Sequence, residues 1–152
     1  MYKRVILPTD GSDVSFQGVE EGLEAAKIYG IPALAVYVIP PSAISERTGV
    51  HRFEEYGQEM VDIMWEHQKE RAEQVLAEVR KKADELGVEL KTEIRDGIPS
   101  QEIAEVADRG DIIYICSHGR SGIKSIFIGS TTSRVVKRTD ATVAVVKARK
   151  EK

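Results

Sequence analysis

Strand-like apolar runs alternate with helical patterns along this chain, and that alternation constrains its fold more than any other feature. The second, fourth and fifth of the runs are nearly continuous, which is typical of strands buried on both faces of a parallel sheet. The third run alternates between apolar and polar residues and is predicted to be an edge strand. The pattern predicts a single α/β domain over residues 1–152, with an open, doubly wound, mostly parallel sheet and right-handed crossovers. The runs are residues 5–7, 33–39, 88–94, 112–115 and 142–146.

Helix start and stop residues lie between these runs. Serines in N-cap positions begin the predicted helices, and glycines that follow the last periodic residue end them. A longer helix is predicted over residues 54–86. Residues 40–53 fit neither period and are predicted to form a mobile loop, and residues 148–152 a flexible tail. The predicted N-caps are Ser12, Ser100 and Ser130, and the predicted stops are Gly30, Gly87 and Gly110.

The charge balance excludes one class of partner. The formal net charge is −3, whereas a protein that coats nucleic acid needs a strongly basic face, so no nucleic-acid partner is expected. The N-terminus has an apolar run of only three residues before Pro8, which is too short for a signal peptide or a membrane span. Because Cys116 is the only cysteine, no intrachain disulfide can form. We therefore expect a cytoplasmic protein with no membrane partner.

The glycine-rich stretch 116–130 directly follows the fourth run and is a candidate phosphate loop. Gly119 and Gly122 permit positive φ and close approach of the backbone to a ligand. Arg120 could pair with phosphate oxygens in a fork. The stretch matches neither a Walker loop nor a dinucleotide-binding fingerprint. Glycine-rich loops also turn corners without binding anything, so composition alone leaves both interpretations open.

A predicted helix start ends this stretch. Gly129 precedes Ser130, Thr131 and Thr132, which form the predicted first turn. The N–H groups and the dipole at a helix N-terminus favour an anion, and the three hydroxyl groups add hydrogen-bond donors. These features add a second phosphate-binding element to the loop.

The spacing of the stretch resembles the nucleotide-binding pattern of the universal stress protein family, G-x2-G-x9-G-[S/T]. Gly119 is followed by nine residues and then by Gly129 and Ser130, while Cys116 stands where the pattern has its first glycine. The resemblance covers nearly the whole chain. It includes Pro8-Thr9-Asp10-Gly11-Ser12 after the first run, Tyr37-Val38-Ile39 at the end of the second, Gly97-x-Pro99 before a helix, and the closing run.

The resemblance implies a Rossmann-like α/β fold, with a five-stranded parallel sheet of order 3-2-1-4-5 and helices on both faces. It also implies a homodimer built along the last strand, and an ATP site that takes magnesium or manganese with the nucleotide. In the ATP-binding branch, Asp10 would lie by the ribose and adenine with Pro8 and Thr9 beside it, and the main chain of Val38 would meet the adenine. The phosphates would be lined by Gly119, Arg120, Gly129, Ser130 and Thr131, to which the loop chemistry adds Gly122 and Thr132.

Three functions remain open at this point. The leading interpretation is an ATP-dependent sensor or regulator of a stress response, in which residues 40–53 change state and an unidentified protein partner responds. The enzyme alternative is a slow ATPase or phosphotransferase, with charge supplied by Arg120, Lys124 and bound magnesium. That alternative lacks a carboxylate within 116–130 to orient a nucleophile, although the fold could bring Asp10 near. The third interpretation is an interaction module that has lost nucleotide binding, with Cys116 as its mark.

Several single residues carry two interpretations each. Asp10 either contacts ribose or makes an Asx turn into the first helix, and His118 either donates to a phosphate, or acts as a base, or is a solvated loop residue. Cys116 is either a redox sensor or a small buried hydrophobe. His51 and His67 have no metal-ligand spacing, so no dedicated protein metal site is expected.

Overall fold

The computed structural model describes residues 1–43, 53–118 and 128–149, and strands and helices alternate through them. In this described part, no helix is both long and apolar enough to cross a membrane. The strands are β1 (Arg4–Pro8), β2 (Ala33–Ile39), β3 (Leu90–Asp96), β4 (Asp111–Cys116) and β5 (Thr142–Val146). The helices are α1 (Asp13–Tyr29), α2 (Phe53–Leu86), α3 (Pro99–Val106) and α4 (Ser130–Arg138).

All strands pair in parallel in the order β3-β2-β1-β4-β5, so the predicted order is confirmed. The chain starts at the centre of the sheet with β1 and builds one half outward through β2 and β3. It then returns to build the other half through β4 and β5. Strand order therefore reverses between β1 and β4, and such a switch point opens a crevice at the carboxyl ends of the strands.

Helices cover both faces of the sheet, as predicted. On one face Leu7 of β1 packs in a cluster with Leu23 of α1 and with residues of α2. On the other face Ile6 packs with Ile103 of α3 and Val135 of α4. Neighbouring residues of β1 thus face opposite cores, and β2 is buried along its whole length. The nearly continuous apolar runs follow from this two-sided burial.

The two edges of the sheet differ from the prediction in one respect. β3 lies at an edge, as its alternating pattern predicted, and β5 lies at the opposite edge. Thr142 is exposed and residues 143–146 are half-buried. The prediction that β5 is buried on both faces is therefore wrong for the single chain, because an edge strand has a neighbour on one side only.

The predicted ends of α1 are confirmed in their hydrogen bonds. The side-chain oxygen of Ser12 accepts a hydrogen bond from Ser15 N at 3.1 Å. Gly30 ends the helix at φ 67°, a left-handed conformation that carries no Cβ penalty in glycine. The predicted long helix is also confirmed, although Gly57 has non-helical angles, φ 68° and ψ 178°, near its start.

Both predicted ends of α3 are wrong. Pro99 occupies the first helical position, where its fixed φ fits and its missing N–H is not needed, so Ser100 lies buried inside the first turn instead of capping it. The helix stops well before Gly110. It stops because the Asp111 carboxylate accepts a hydrogen bond from Asp108 N at 2.9 Å and holds the following turn.

The predicted cap of α4 is wrong by one residue. Gly129 is the N-cap and Ser130 is the first helical residue. Gly129 N donates to Ser117 O at 2.7 Å, which fixes the chain against the end of β4 just before the helix begins. Most of the predicted loop 40–53, and the end of the predicted tail 148–152, lie outside the described residues.

Candidate functional site

A cavity of about 390 Å³ lies at the carboxyl ends of β1, β2 and β4, where the strand order reverses. Every predicted binding residue that the structure describes is part of its wall. These residues are Pro8, Thr9, Asp10, Val38, Gly129, Ser130, Thr131 and Thr132. The other predicted binding residues, Gly119, Arg120 and Gly122, lie outside the described residues. The structure thus brings together three segments that are far apart in sequence.

The end of β2 reaches the cavity because β2 extends past β1. Pro8, the last residue of β1, pairs with Val36, and β2 continues to Ile39. Val38 therefore lies beyond the last pair between the two strands. Its side chain packs into the core beneath α3 and α4, and the residue also lines the cavity.

The turn after β1 is held by a chain of hydrogen bonds. Ser12 N donates to Asp10 Oδ1 at 2.9 Å, and Gly11 N donates to Thr9 Oγ1 at 3.2 Å. Ser15 donates its hydroxyl proton to Ser12 O at 2.9 Å. In the 3.0 Å contact between the two hydroxyl groups, Thr9 Oγ1 is therefore the donor and Ser15 Oγ the acceptor. The Asx turn offered as the alternative role of Asp10 is therefore present. The same residue is also part of the cavity wall, so the turn fixes its carboxylate at the cavity.

The start of α4 forms the opposite wall. Ser130 and Thr131 are exposed, and their hydroxyl groups lie at the N-terminus of a nine-residue helix, where the dipole favours an anion. Thr132 differs, because it is buried and its hydroxyl donates to Cys116 O at 2.8 Å. The prediction that this hydroxyl donates to a ligand is wrong, since its single proton is bound to β4. Thr132 instead attaches the helix to the end of the strand.

Cys116 ends β4 and is also part of the cavity wall. Only 5% of the residue is exposed. This burial raises the pKa of the thiol, against the opposing effect of hydrogen bonds from the backbone of His118 and Ser117. The thiol therefore stays protonated at neutral pH, and a protonated thiol is a poor nucleophile. This environment favours the small hydrophobe over the redox sensor.

His118 follows the strand directly and contributes to the same wall. The residue is half-buried, so it is not the solvated loop histidine of the alternative interpretation. Its Nδ1 atom lies 2.9 Å from Ser117 Oγ. No pattern in the sequence predicted this contact between neighbouring residues.

No metal centre is evident in the part of the chain that the structure describes. Within residues 1–43, 53–118 and 128–149, no group of three or more histidine, cysteine, aspartate or glutamate residues could hold a metal ion. His67 is exposed on α2, and His51 lies outside these ranges.

A larger and more open groove, of about 810 Å³, lies between α2 and β3. Its lining contains none of the predicted binding residues.

Comparison with known proteins identifies the family. The sequence model of the universal stress protein family matches residues 1–147. The chain belongs to the universal stress protein family. It is 34% identical to universal stress protein MJ0531 of Methanocaldococcus jannaschii, over 99% of this chain and 85% of that protein.

Solved structures of other universal stress proteins share the fold. The structure of MJ0577 from Methanocaldococcus jannaschii superposes on this universal stress protein with a TM-score of 0.80 and 27% identity, over 99% of both chains. A universal stress protein in complex with cAMP superposes with a TM-score of 0.65 and 20% identity, over 96% of this chain and 97% of that one. At this lower identity the likeness extends to the fold alone.

Sequence reasoning missed the apolar part of the site in this universal stress protein. Val36, Ile103 and Ile115 line the cavity and belong to the core cluster beneath α3 and α4. One signal for them was available, because Val36 precedes Val38 by one strand period and so faces the same side of the sheet. Ile103 had no such signal, since the start of α3 was placed wrongly.

Proposed function

We propose that this universal stress protein binds ATP in the cavity at the switch point of its sheet and acts as a nucleotide-dependent sensor or regulator. The observation that carries the proposal is the convergence of the first turn, the end of β2 and the start of α4 on one cavity. The first turn was predicted to lie by the ribose and adenine, the end of β2 to meet the adenine, and the start of α4 to line the phosphates. Their convergence supports one ligand that spans all three.

The chemistry of the cavity wall fits the parts of a nucleotide in order. Ile103 and Ile115 offer a small apolar surface to a base, and the Asp10 carboxylate can accept hydrogen bonds from ribose hydroxyls. The phosphates would lie at the start of α4, near the hydroxyls of Ser130 and Thr131 and the predicted loop glycines. The cavity volume of about 390 Å³ falls within the range of small-molecule sites.

The solved complex with cAMP shows that this fold can hold a nucleotide. Its name records an adenine nucleotide in a protein of the same fold. We propose ATP because the spacing of Gly119, Gly129 and Ser130 resembles the ATP-binding branch of the family. Magnesium or manganese would arrive with the nucleotide, since such ions keep several waters and need few protein ligands.

The first test identifies the ligand directly. Small molecules released from freshly purified, denatured protein are separated by liquid chromatography and identified by mass spectrometry. ATP supports the proposal, while ADP in stoichiometric amount favours the slow ATPase. If no nucleotide is released and calorimetry detects no binding of added ATP with magnesium, the module without nucleotide binding is correct.

Neighbouring carboxylates provide a matched set of variants for the site. Asp10→Ala should lower ATP affinity at least tenfold, roughly the loss of one hydrogen bond to a charged group. Asp10→Asn should lose less, because an amide oxygen can keep the Asx turn. Asp13 is exposed in the first turn of α1 and does not line the cavity, so Asp13→Ala is the control. Equal affinities for all variants would show that the ligand does not contact the first turn.

A further inference from the structure

One buried ring nitrogen beside the cavity has no partner that the structure accounts for. His118 Nε2 is inaccessible to solvent, and no described residue forms a hydrogen bond with it. A buried polar atom without a partner is unfavourable in proteins, and each such atom calls for an explanation. His118 is part of the cavity wall, so a ligand that reaches Nε2 as it binds is a candidate for the missing partner.

Ser117 determines which ring nitrogen carries the proton. Its Oγ accepts a hydrogen bond from Ala148 N at 3.2 Å, and its own hydroxyl proton needs an acceptor. Among the described residues, His118 Nδ1 is the acceptor within reach, at 2.9 Å. A neutral imidazole that accepts at Nδ1 carries its proton at Nε2. The orphan nitrogen is therefore a donor, and it needs an acceptor such as an oxygen.

The residues after β5 hold this arrangement in place. Arg149 N donates to Gln17 Oε1 at 2.7 Å, and Gln17 Nε2 donates to Arg149 O at 3.2 Å. The Arg149 side chain pairs with Glu21 at 2.8 Å, so the segment is fixed to α1 at two residues. The predicted flexible tail thus begins with a fixed segment, and Ala148 within it orients the Ser117 hydroxyl.

The backbone next to His118 lies at the proposed phosphate end of the ligand. Ser117 O accepts a hydrogen bond from Gly129 N at 2.7 Å, which joins the residue before His118 to the N-cap of α4. His118 therefore directly follows the residue that is hydrogen-bonded to the start of α4, where we propose that the phosphates bind.

We propose that His118 donates an Nε2–H hydrogen bond to a phosphate oxygen of the bound nucleotide, and that Ser117 is the positioning residue that selects the required tautomer. This proposal rests on the proposed function, and it adds a specific side-chain donor to the glycine pattern. It also gives the fixed segment after β5 a role in ligand binding, through Ala148 and Ser117.

Two amide substitutions separate the two ring nitrogens. His118→Gln places an amide nitrogen near the position of Nε2 and can keep the donor, whereas His118→Asn reaches only the position of Nδ1. By calorimetry, ATP affinity should fall about tenfold in His118→Asn, the order expected for one charged hydrogen bond, and less than about threefold in His118→Gln. Adenosine, which has no phosphate, should bind equally to both. His67→Gln, at an exposed position on α2, is the control.

The tautomer of the His118 ring can be measured directly in the wild-type protein. Long-range ¹H–¹⁵N spectra of the histidine rings distinguish the two neutral tautomers, and the His118 signals are those that disappear in His118→Gln. We expect the Nε2–H form in the wild type and a shift towards the Nδ1–H form in Ser117→Ala, with weaker ATP binding. An Nδ1–H form in the wild type would overturn the proposal whether or not the variants fold.

The outcomes separate this proposal from the proposed function. If the wild type binds no nucleotide, both are wrong. If the wild type binds ATP and His118→Asn binds it equally well, only the proposal for His118 is wrong. In that case the acceptor belongs to the protein, and His118→Asn should lower thermal stability without changing affinity.

Discussion

Cys116 stands where the nucleotide-binding pattern of the family has its first glycine, and both its backbone and its side chain are closely packed. Its backbone oxygen accepts the Thr132 hydroxyl, and a Cβ atom added to Gly18 of α1 would lie only 3.1 Å from its backbone nitrogen. The strand end is therefore packed from two sides. The side chain is buried at the cavity wall, so it contributes both to packing and to the shape of the site.

Substitutions of Cys116 separate these two contributions. Cys116→Gly should lower the free energy of unfolding by about 1 kcal/mol or more, because burial is lost and the unfolded backbone gains freedom. The same change should tighten ATP binding two- to fivefold, about 0.4–1 kcal/mol, because it widens the cavity. Urea denaturation and calorimetry measure the two effects.

A larger side chain at this position provides the opposite test. Cys116→Leu should abolish ATP binding, since a leucine at the strand end cannot avoid a ligand bound beside it. Circular dichroism must show that the fold is intact. Full ATP binding by a folded Cys116→Leu protein would mean that the nucleotide does not approach the end of β4.

An ion pair joins two central strands of the sheet at their amino ends, which lie opposite the cavity. Arg4 of β1 donates to Asp111 of β4 at 2.7 Å, and Asp111 is only 3% exposed in its side chain. Arg4 also donates to the backbone oxygen of Val106 at 3.2 Å, and Asp111 accepts from Asp108 N. Hydrogen bonding to Asp111 raises the pKa of Arg4. One carboxylate therefore joins the central strands to the turn that ends α3.

Removing that carboxylate should destabilise the fold without affecting the site. We expect Asp111→Ala to lower the free energy of unfolding by about 2–3 kcal/mol, which is less than for a fully buried pair because Arg4 is partly exposed. ATP affinity should stay within about twofold of the wild type. The control is Glu66→Gln, which breaks an exposed pair with Lys69 and should cost less than about 0.5 kcal/mol. Equal stability of the two variants would show that the Asp111 contacts contribute little.

The positions of helices and strands were predictable from the sequence where burial determines the apolar pattern. They were less predictable where local contacts determine the first or last residue of a helix. The continuous run in β2 required two covered faces, and Gly30 ended α1 as its position indicated. Helix starts depended on competition between neighbours, in which Pro99 displaced Ser100. For the site, the described residues predicted from the first turn, the end of β2 and the start of α4 line one cavity. The Thr132 proton and the Ser117–His118 contact depend on tertiary positions and had no sequence signal.

At the scale of the whole molecule, the sheet has two edges with different character. β3 carries charged residues, and Arg95 pairs there with Glu93 at 2.7 Å and with Glu102 at 2.6 Å. Charged side chains on an edge strand oppose pairing with another chain. β5 is an apolar edge with no charged residue between 142 and 146. An apolar edge left open would promote aggregation, so we propose that a second copy covers β5 in a homodimer.

A charge on β5 should therefore weaken self-association. Val145 is half-buried in the single chain and, unlike Val143, does not pack against either core cluster, so Val145→Asp should disturb an interface more than the fold. We expect light scattering to show a dimer for the wild type and a monomer, or an affinity between subunits at least tenfold weaker, for Val145→Asp. Lys91→Glu, at an exposed position on the β3 edge, changes charge on the opposite side of the same sheet and should remain dimeric. A monomeric wild type would contradict the interface. If Lys91→Glu disrupts the dimer and Val145→Asp does not, the interface lies along β3 instead.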